Sequence, residues 1–429
     1  MNDRYKKSNE LIERALQSIP LASQTFSKSI LQFPRGTSPL FITHGKGSHV
    51  WDVDGNEYID FVSGLLSVAI GYNDPEITGD VIKQLGKGVT FSLPHPLEME
   101  VAELLIELVP CAEKVRFGKN GSDATSAAVR LARAYTGREH ILVCGYHGWQ
   151  DWYIGSTSRG LGVPTAVKEL THAFKYNDIN DLKNYFVKYQ NNIAAVIMEP
   201  MNIEWPNDGY LEKVKEITAD NGAILIFDET ITGFRFAKGG AQELFGVIPD
   251  IATLGKGMSN GFPLSAVVGK EYIMNLMEDI FFSGTFGGET LSLAAAKTVL
   301  KKVKESDFIE YIYNRGKDVL DGVNELIQKH DVAGFIEING HPSWSILTFK
   351  NVGDYTSHQV KTFFLQEMFK QGILTIGSHN ITYSHSNNDV LSLLTAYMKV
   401  LPDLRQAISE NTLAERLEAK VLEPVFKVR

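Results

Sequence analysis

Gly222-Ala-Ile-Leu-Ile-Phe-Asp-Glu-Thr230 drives five apolar residues straight into an acid, Asp228. A little further on, Ile251-Ala-Thr-Leu-Gly-Lys-Gly-Met258 breaks a second short apolar run with glycines on both sides of Lys256. Runs this short and this apolar read as strands buried on both faces. Similar runs lie at 141–144, 194–198 and 266–268, with helical segments between them. Such alternation predicts a mainly parallel, doubly wound α/β sheet. In a sheet of that kind the acting groups lie at the carboxyl ends of the strands. Asp228 and Lys256 are both placed there.

The composition is that of an ordinary soluble globular protein, long enough for one large core or two domains. There are 429 residues, 44% hydrophobic and 22% charged, with a net charge of -9. The negative balance argues against a polyanionic partner, so no nucleic acid is expected. Cys111 and Cys144 show neither a disulfide framework nor metal-ligand spacing. They read as buried thiols in a reducing compartment. Met1-Asn-Asp-Arg-Tyr-Lys-Lys-Ser8 has no apolar signal core, and no apolar stretch is long enough to span a bilayer. The expected location is the cytoplasm, with no membrane partner.

Leu11, Ile12, Ala15, Leu16 and Ile19 mark a helix that Pro20 ends, and 21–45 reads as extended and polar. Val50-Trp-Asp-Val-Asp-Gly-Asn-Glu-Tyr-Ile-Asp60 reads as a hairpin turning at Asp54-Gly55. Helices are expected over 101–108 and 124–134, the second closed by Gly137. Phe335-Ile-Glu-Ile-Asn339 and Trp344-Ser-Ile-Leu-Thr-Phe349 read as strands of a smaller α+β domain. The expected division is 1–70, an N-terminal segment joining the small domain, then 71–315, the large domain, and 316–429, the C-terminal small domain.

An acid ending one buried strand and a lysine after the next is the pairing that a pyridoxal 5'-phosphate (PLP) enzyme needs. The lysine forms a Schiff base, and the acid keeps the pyridine nitrogen protonated. Other stretches supply further parts. Val115-Arg-Phe-Gly-Lys-Asn-Gly-Ser122 leads into a helix whose first N–H groups lack internal partners. Gly121 and Ser122 suit a phosphate there; the alternative is an ordinary N-cap serine. Cys144-Gly-Tyr-His-Gly-Trp149 places Tyr146, with His147 beside it, at a strand exit. The tyrosine suits the face of a ring, against the alternative of simple packing. Thr230 suits the other face. Glu229 competes with Asp228, but along a strand it points the opposite way. Lys256, flanked by Gly255 and Gly257, suits close approach and a depressed pKa. Phe282-Ser-Gly-Thr-Phe-Gly-Gly-Glu289 offers a second phosphate clamp at Gly284 and Thr285, or merely caps the helix that follows.

In combination and in this order, these motifs resemble the class III aminotransferases. The resemblance is carried by Gly121-Ser-Asp-Ala-Thr125, Arg130-Leu-Ala-Arg133, Tyr146-His-Gly148, Glu199-Pro200, Phe227-Asp-Glu-Thr-Ile-Thr-Gly-Phe-Arg235, Leu254-Gly-Lys-Gly257 and Ser283-Gly-Thr285. The branch most similar is glutamate-1-semialdehyde aminomutase. The resemblance implies PLP fold type I and a homodimer with the cofactor near the subunit interface. It implies that Lys256 binds PLP, that Asp228 meets the ring nitrogen and that Tyr146 stacks on the ring. Gly121 and Ser122 would bind phosphate, and Thr285 would reach the cofactor of a second copy.

The substrate side departs from that branch. Its N-terminal arginine is missing from Ser23-Gln-Thr-Phe-Ser-Lys28, which leaves Lys28 as the nearest cation. Its tryptophan falls near Leu65 or Leu66, and its C-terminal acid falls in Gly377-Ser-His-Asn-Ile-Thr382, where His379 stands. Met201-Asn-Ile-Glu-Trp-Pro206 replaces a loop of small residues. The expected activity is amino transfer from a small-molecule donor to a carbonyl acceptor, here a polar, sugar-derived or phosphorylated one. The alternatives are an aminomutase that moves nitrogen within one substrate, and a non-catalytic binding or regulatory module. An intact Lys256 and Asp228 argue against the module.

Overall fold

A computed structural model describes residues 3–423. Met1 and Asn2, part of the N-terminal reading, and 424–429, the end of the expected small domain, lie outside the described residues.

Among the described residues, fourteen strands follow in chain order. Three come first: β1 (Ile42–Lys46), β2 (His49–Asp52) and β3 (Glu57–Asp60). Seven follow: β4 (Lys114–Gly118), β5 (His140–Cys144), β6 (Thr171–Ala173), β7 (Ile193–Met198), β8 (Ile224–Asp228), β9 (Ile251–Leu254) and β10 (Ser265–Gly269). The last four are β11 (Ile336–His341), β12 (Trp344–Phe349), β13 (Ile373–Leu374) and β14 (Ser378–Asn380).

The chain forms two compact units. Residues Ser67–Ala69 and Pro75–Ile309 make the larger one, built on a seven-stranded sheet of order β4-β10-β9-β8-β7-β5-β6. β9, β8, β7, β5 and β6 run parallel, and β10 is antiparallel to both of its neighbours. This is the mainly parallel sheet expected from the apolar runs, with one reversed strand, β10, set between the edge strand β4 and β9.

Both faces of this sheet are buried, and residue parity decides which face each side chain meets. Ile141, Val143, Ala195, Ile197, Ile224 and Ile226 pack on one side with Ala124, Ala127, Ala128 and Leu131 of the helix Gly121–Thr136. Leu142, Cys144, Val196, Met198, Leu225 and Phe227 face the other side, with Leu182, Phe186 and Tyr210. Alanines on the inner side of Gly121–Thr136 let that helix sit close to the strands. It ends at Gly137 in the left-handed conformation (φ 68°).

Of the described residues, the smaller unit takes those up to Leu66, Ile70–Asp74 and those from Glu310 to Glu423. A four-stranded sheet, β1-β2-β3-β13, contains the expected hairpin, and only its Gly55 takes a positive φ (87°). A second, antiparallel sheet has the order β11-β12-β14. The segment 21–45 is less extended than its polarity predicts. Short 3-10 turns occupy Pro20–Ala22 and Phe26–Lys28, and Leu21 and Ala22 adopt positive φ. Thr37 and Ser38 hold it by bonding Pro34 O.

Candidate active site

Strand register builds the site. Cys144 pairs with Met198, Met198 with Phe227, and Asp228 with Thr253. One step beyond the first two pairs, Gly145, Glu199, Asp228 and Thr253 form a row across four neighbouring strands. By parity the row lies on the face covered by the helix Gly121–Thr136. Glu229, one residue on, turns away. It accepts hydrogen bonds from the Ala241 and Gln242 N–H groups at 2.7 and 2.9 Å, and serves as a structural acid.

Asp228 is 4% exposed, yet well supplied with donors. Its Oδ1 accepts from the Thr230 N–H at 3.1 Å, the Thr230 hydroxyl at 2.5 Å and the Thr253 hydroxyl at 3.0 Å. Its Oδ2 lies 2.8 Å from His147 Nδ1. Burial pushes this carboxyl up, but the bonds from His147 and Thr230 outweigh it and hold the pKa below the usual value. An ionised acid requires a proton on His147 Nδ1. The imidazole is 1% exposed, and its Nε2 is buried without a hydrogen-bond partner among the described residues.

Thr230 also links the site's loops. Its Cγ2 lies 3.2 Å from where a Cβ on Gly121 would be and 3.4 Å from where one on Gly255 would be. The start of the Gly121–Thr136 helix and the residue before Lys256 therefore meet on one threonine methyl. At that helix start, Asn120 is the N-cap rather than Ser122, and Asp123 accepts the Asn120 N–H at 2.8 Å. The N–H groups of Gly121 and Ser122 find no acceptor among the described residues. Ser122 Oγ takes the Trp149 N–H at 3.3 Å.

Lys256 follows β9 with φ 41°, a strained value for a side chain of this size. It is half-buried, and Nζ makes no hydrogen bond or ion pair among the described residues. Burial lowers its pKa; Glu199 and Asp228 oppose this and the Arg235 guanidinium adds to it. Tyr146 is 47% exposed, its ring set edge-on to Tyr153 at 5.6 Å. Thr285 lies in an exposed loop between Phe281 and Phe286, which are 83% and 60% exposed. The base of this loop is held by Arg130 on Phe281 O and Arg116 on Phe282 O.

Two substrate candidates lie in the other unit. Lys28 is exposed at the end of a 3-10 turn. His379 lies inside the core of that unit. It is fully buried, with Nδ1 2.9 Å from Ser345 Oγ and Nε2 2.9 Å from the Tyr397 hydroxyl, and burial pushes its pKa down to about 3. Both of its ring nitrogens are engaged within the core.

Sequence reasoning passed over Glu199, Thr253 and Tyr153 as site residues. Glu199 carried the same signal as Asp228, an acid closing an apolar run. Thr253 had none, because only the register sets it beside Asp228.

The family pattern Aminotransferase class-III matches residues 32–389. The chain is 33% identical to 3-aminobutyryl-CoA aminotransferase of Cloacimonas acidaminovorans, over 94% of this chain and 98% of the relative. It is 35% identical to glutamate-1-semialdehyde 2,1-aminomutase of Syntrophomonas wolfei, over 93% and 98%. Among solved structures, an omega-transaminase from Sphaerobacter thermophilus superposes with a TM-score of 0.84 at 26% identity, covering 94% of this chain and 99% of that one. The PLP internal aldimine form of the FumI protein of Sphingopyxis sp. MTA144 gives 0.87 at 27% identity, covering 95% and 97%. The chain belongs to the class III aminotransferase family, PLP-dependent enzymes of fold type I that move amino groups.

Proposed function

We propose that Lys256 is the amine that binds the cofactor's aldehyde and that Asp228 keeps the cofactor ring cationic. The observation that carries this reading is the pairing itself. A recessed lysine amine without a partner among the described residues follows one strand, and an ionised, buried carboxylate ends its neighbour in the sheet.

The residues suit PLP. The N–H groups of Gly121 and Ser122 lack acceptors and would hold the phosphate, with the helix dipole favouring the anion. Asp228 Oδ2 has lone-pair capacity beyond its bond to His147, and would take a ring N–H. Thr230 and Tyr146 would flank the ring, and His147 would hold the acid in place. When bound, the cofactor supplies an aldehyde that condenses with amines and a ring that takes up electrons from the substrate carbon.

The chain's residues supply the remainder. Asp228 keeps its negative charge because four donors offset the cost of its burial. Lys256, with its pKa depressed, spends part of its time as the free amine, so Nζ can take a proton from carbon and return it elsewhere. The row of buried side chains keeps water from the acid.

The main reading is transfer between a small-molecule amino donor and a separate carbonyl acceptor. Amino transfer within one substrate is the second reading, favoured by the aminomutase relatives. The assembly in this proposal is a homodimer. Its support is the apolar exposure of Phe281, Phe286 and Leu93, the last 80% exposed. Two buried free thiols suit a reducing cytoplasm. Among the described residues no helix is long and apolar enough to cross a membrane.

Purified protein is expected to absorb in the visible and to lose that band when an amino donor is added. If Lys256→Ala still exchanges amino groups at the normal rate, the assignment fails. Glutamate semialdehyde supplied without any other acceptor separates the two readings: 5-aminolevulinate forms only if the transfer is intramolecular.

A further inference from the structure

The peptide group between Gly145 and Tyr146 is held at both ends by buried side chains. Its carbonyl, Gly145 O, accepts from the Tyr153 hydroxyl at 2.8 Å. Its N–H, on Tyr146, donates to Glu199 Oε2 at 2.9 Å. Tyr153 is 0% exposed and Glu199 is 6% exposed. Glu199 Oε2 is steadied in turn by Asn202 Nδ2 at 2.8 Å. Asn202 belongs to Met201-Asn-Ile-Glu-Trp-Pro206, the loop that follows Glu199-Pro200. The close fit leaves no room for a side chain at position 145. A Cβ there would sit 2.4 Å from Glu199 Oε2, and the residue has φ 110°.

We infer that Glu199 and Tyr153 are positioning residues that clamp the Gly145–Tyr146 peptide and so aim the Tyr146 ring at the bound cofactor. This rests on the reading of Tyr146 as a ring-facing residue. Glu199 acts here as a hydrogen-bond acceptor, and its charge is not what the clamp uses. Burial, and the ionised Asp228 beside it in the row, both push its carboxyl towards the neutral form. The two bonds it accepts fall on one oxygen, an arrangement that a neutral acid or an amide can keep. Only one strand, β7, separates Gly145 from Asp228. A shift of this peptide would move Tyr146 while leaving Asp228 and Lys256 in place.

The test uses full-length protein carrying Tyr153→Phe, Glu199→Ala or Glu199→Gln, with PLP added and without it. Two signals are read: hydrogen exchange at the Tyr146 amide, and the circular dichroism that the protein induces in the cofactor's visible band. In both states, Glu199→Ala is expected to speed exchange at this amide at least tenfold, and Tyr153→Phe severalfold. Both should weaken the induced dichroism, and Glu199→Gln should keep both signals near wild type. Exchange unchanged in Glu199→Ala and Tyr153→Phe overturns the clamp. Faster exchange with unchanged dichroism overturns the aiming of Tyr146, and places the error in the ring-facing reading rather than in the clamp. Loss of both signals in Glu199→Gln overturns the acceptor role in favour of charge. If Glu199→Ala does not fold, Tyr153→Phe, which loses one hydroxyl, decides between the first two outcomes.

Discussion

Asp228, Glu199 and Glu229 are three buried acids on neighbouring strand ends, and each is made tolerable differently. Asp228 is ionised because four donors converge on it, Glu199 is pushed towards neutrality, and Glu229 caps a short helix. Replacing Asp228 with Asn keeps the volume and removes the charge. We expect a loss of about 10²–10³-fold in kcat, the size seen when one preorganised electrostatic group is removed from an active site. Steady-state rates with saturating PLP check this. In the proposed mechanism Lys256 sets the pH dependence. As the pH falls through its depressed pKa, Nζ takes up a proton and can no longer accept one from carbon, so kcat falls on the acid side. Arg235 contributes to that depression. Arg235→Met is expected to raise the Lys256 pKa and shift the acid limb of the kcat profile to higher pH; an unmoved limb would refute the coupling. Asp228 was legible as an acid ending an apolar run. The engagement of both His379 nitrogens within a core was not legible, because sequence does not show which side chains meet there.

At the scale of elements, period-2 alternation does most of the positioning. It puts Glu199 and Asp228 on the face covered by Gly121–Thr136 and sends Glu229 to the other. The turn after β5 depends on glycine. Gly148 has φ 106°, and a Cβ there would lie 2.3 Å from Ser122 Oγ. Gly148→Ala is therefore expected to cost more than about 1 kcal/mol and to weaken PLP binding, read from urea midpoints and cofactor titration. The β2–β3 hairpin is tied to the helix Asn387–Ser409 by an ion pair. His49 Nε2 lies 3.1 Å from Asp389 Oδ1, and Nδ1 lies 2.8 Å from Glu57 Oε1. The Asp389 bond leads in raising the His49 pKa above its ordinary 6.5. The folded state thus holds this proton more tightly than the unfolded chain. Its contribution is full below pH 6.5 and fades as the pH rises through the folded value. His49→Ala is expected to cost about 0.5–1 kcal/mol at mildly acidic pH and progressively less in alkali, the pair being partly solvated. A cost that grows with pH would contradict this sign.

Considered as a whole molecule, the chain places its chemistry in the larger unit and builds the smaller one from both ends of the sequence. Cys111 and Cys144 are buried, and burial pushes both thiols up to about 12. Neither is expected to react with an aromatic disulfide reagent in the native protein, while two equivalents should titrate in denaturant. Rapid modification of the folded enzyme would show that the core opens. The proposed dimer has its own test. Phe281→Glu combined with Phe286→Glu is expected to turn a dimeric sedimentation profile into a monomeric one at micromolar concentration, since charge is disfavoured at the centre of an interface. An unchanged profile would show that this face is not the contact.

The sequence by itself determined the sheet, its buried strands and the pairing of an acid with a lysine at strand ends. Those properties are local: apolar runs of strand length, and glycines where a side chain cannot go. It determined the family as well, because the spaced motifs occur together. Tertiary structure alone decided that Glu199, Thr253 and Gly145 share a row with Asp228, that both His379 nitrogens are engaged within the core, and that one peptide is gripped by Glu199 and Tyr153. Register between strands and contact between distant loops depend on the whole chain packing at once, and no window of sequence contains them.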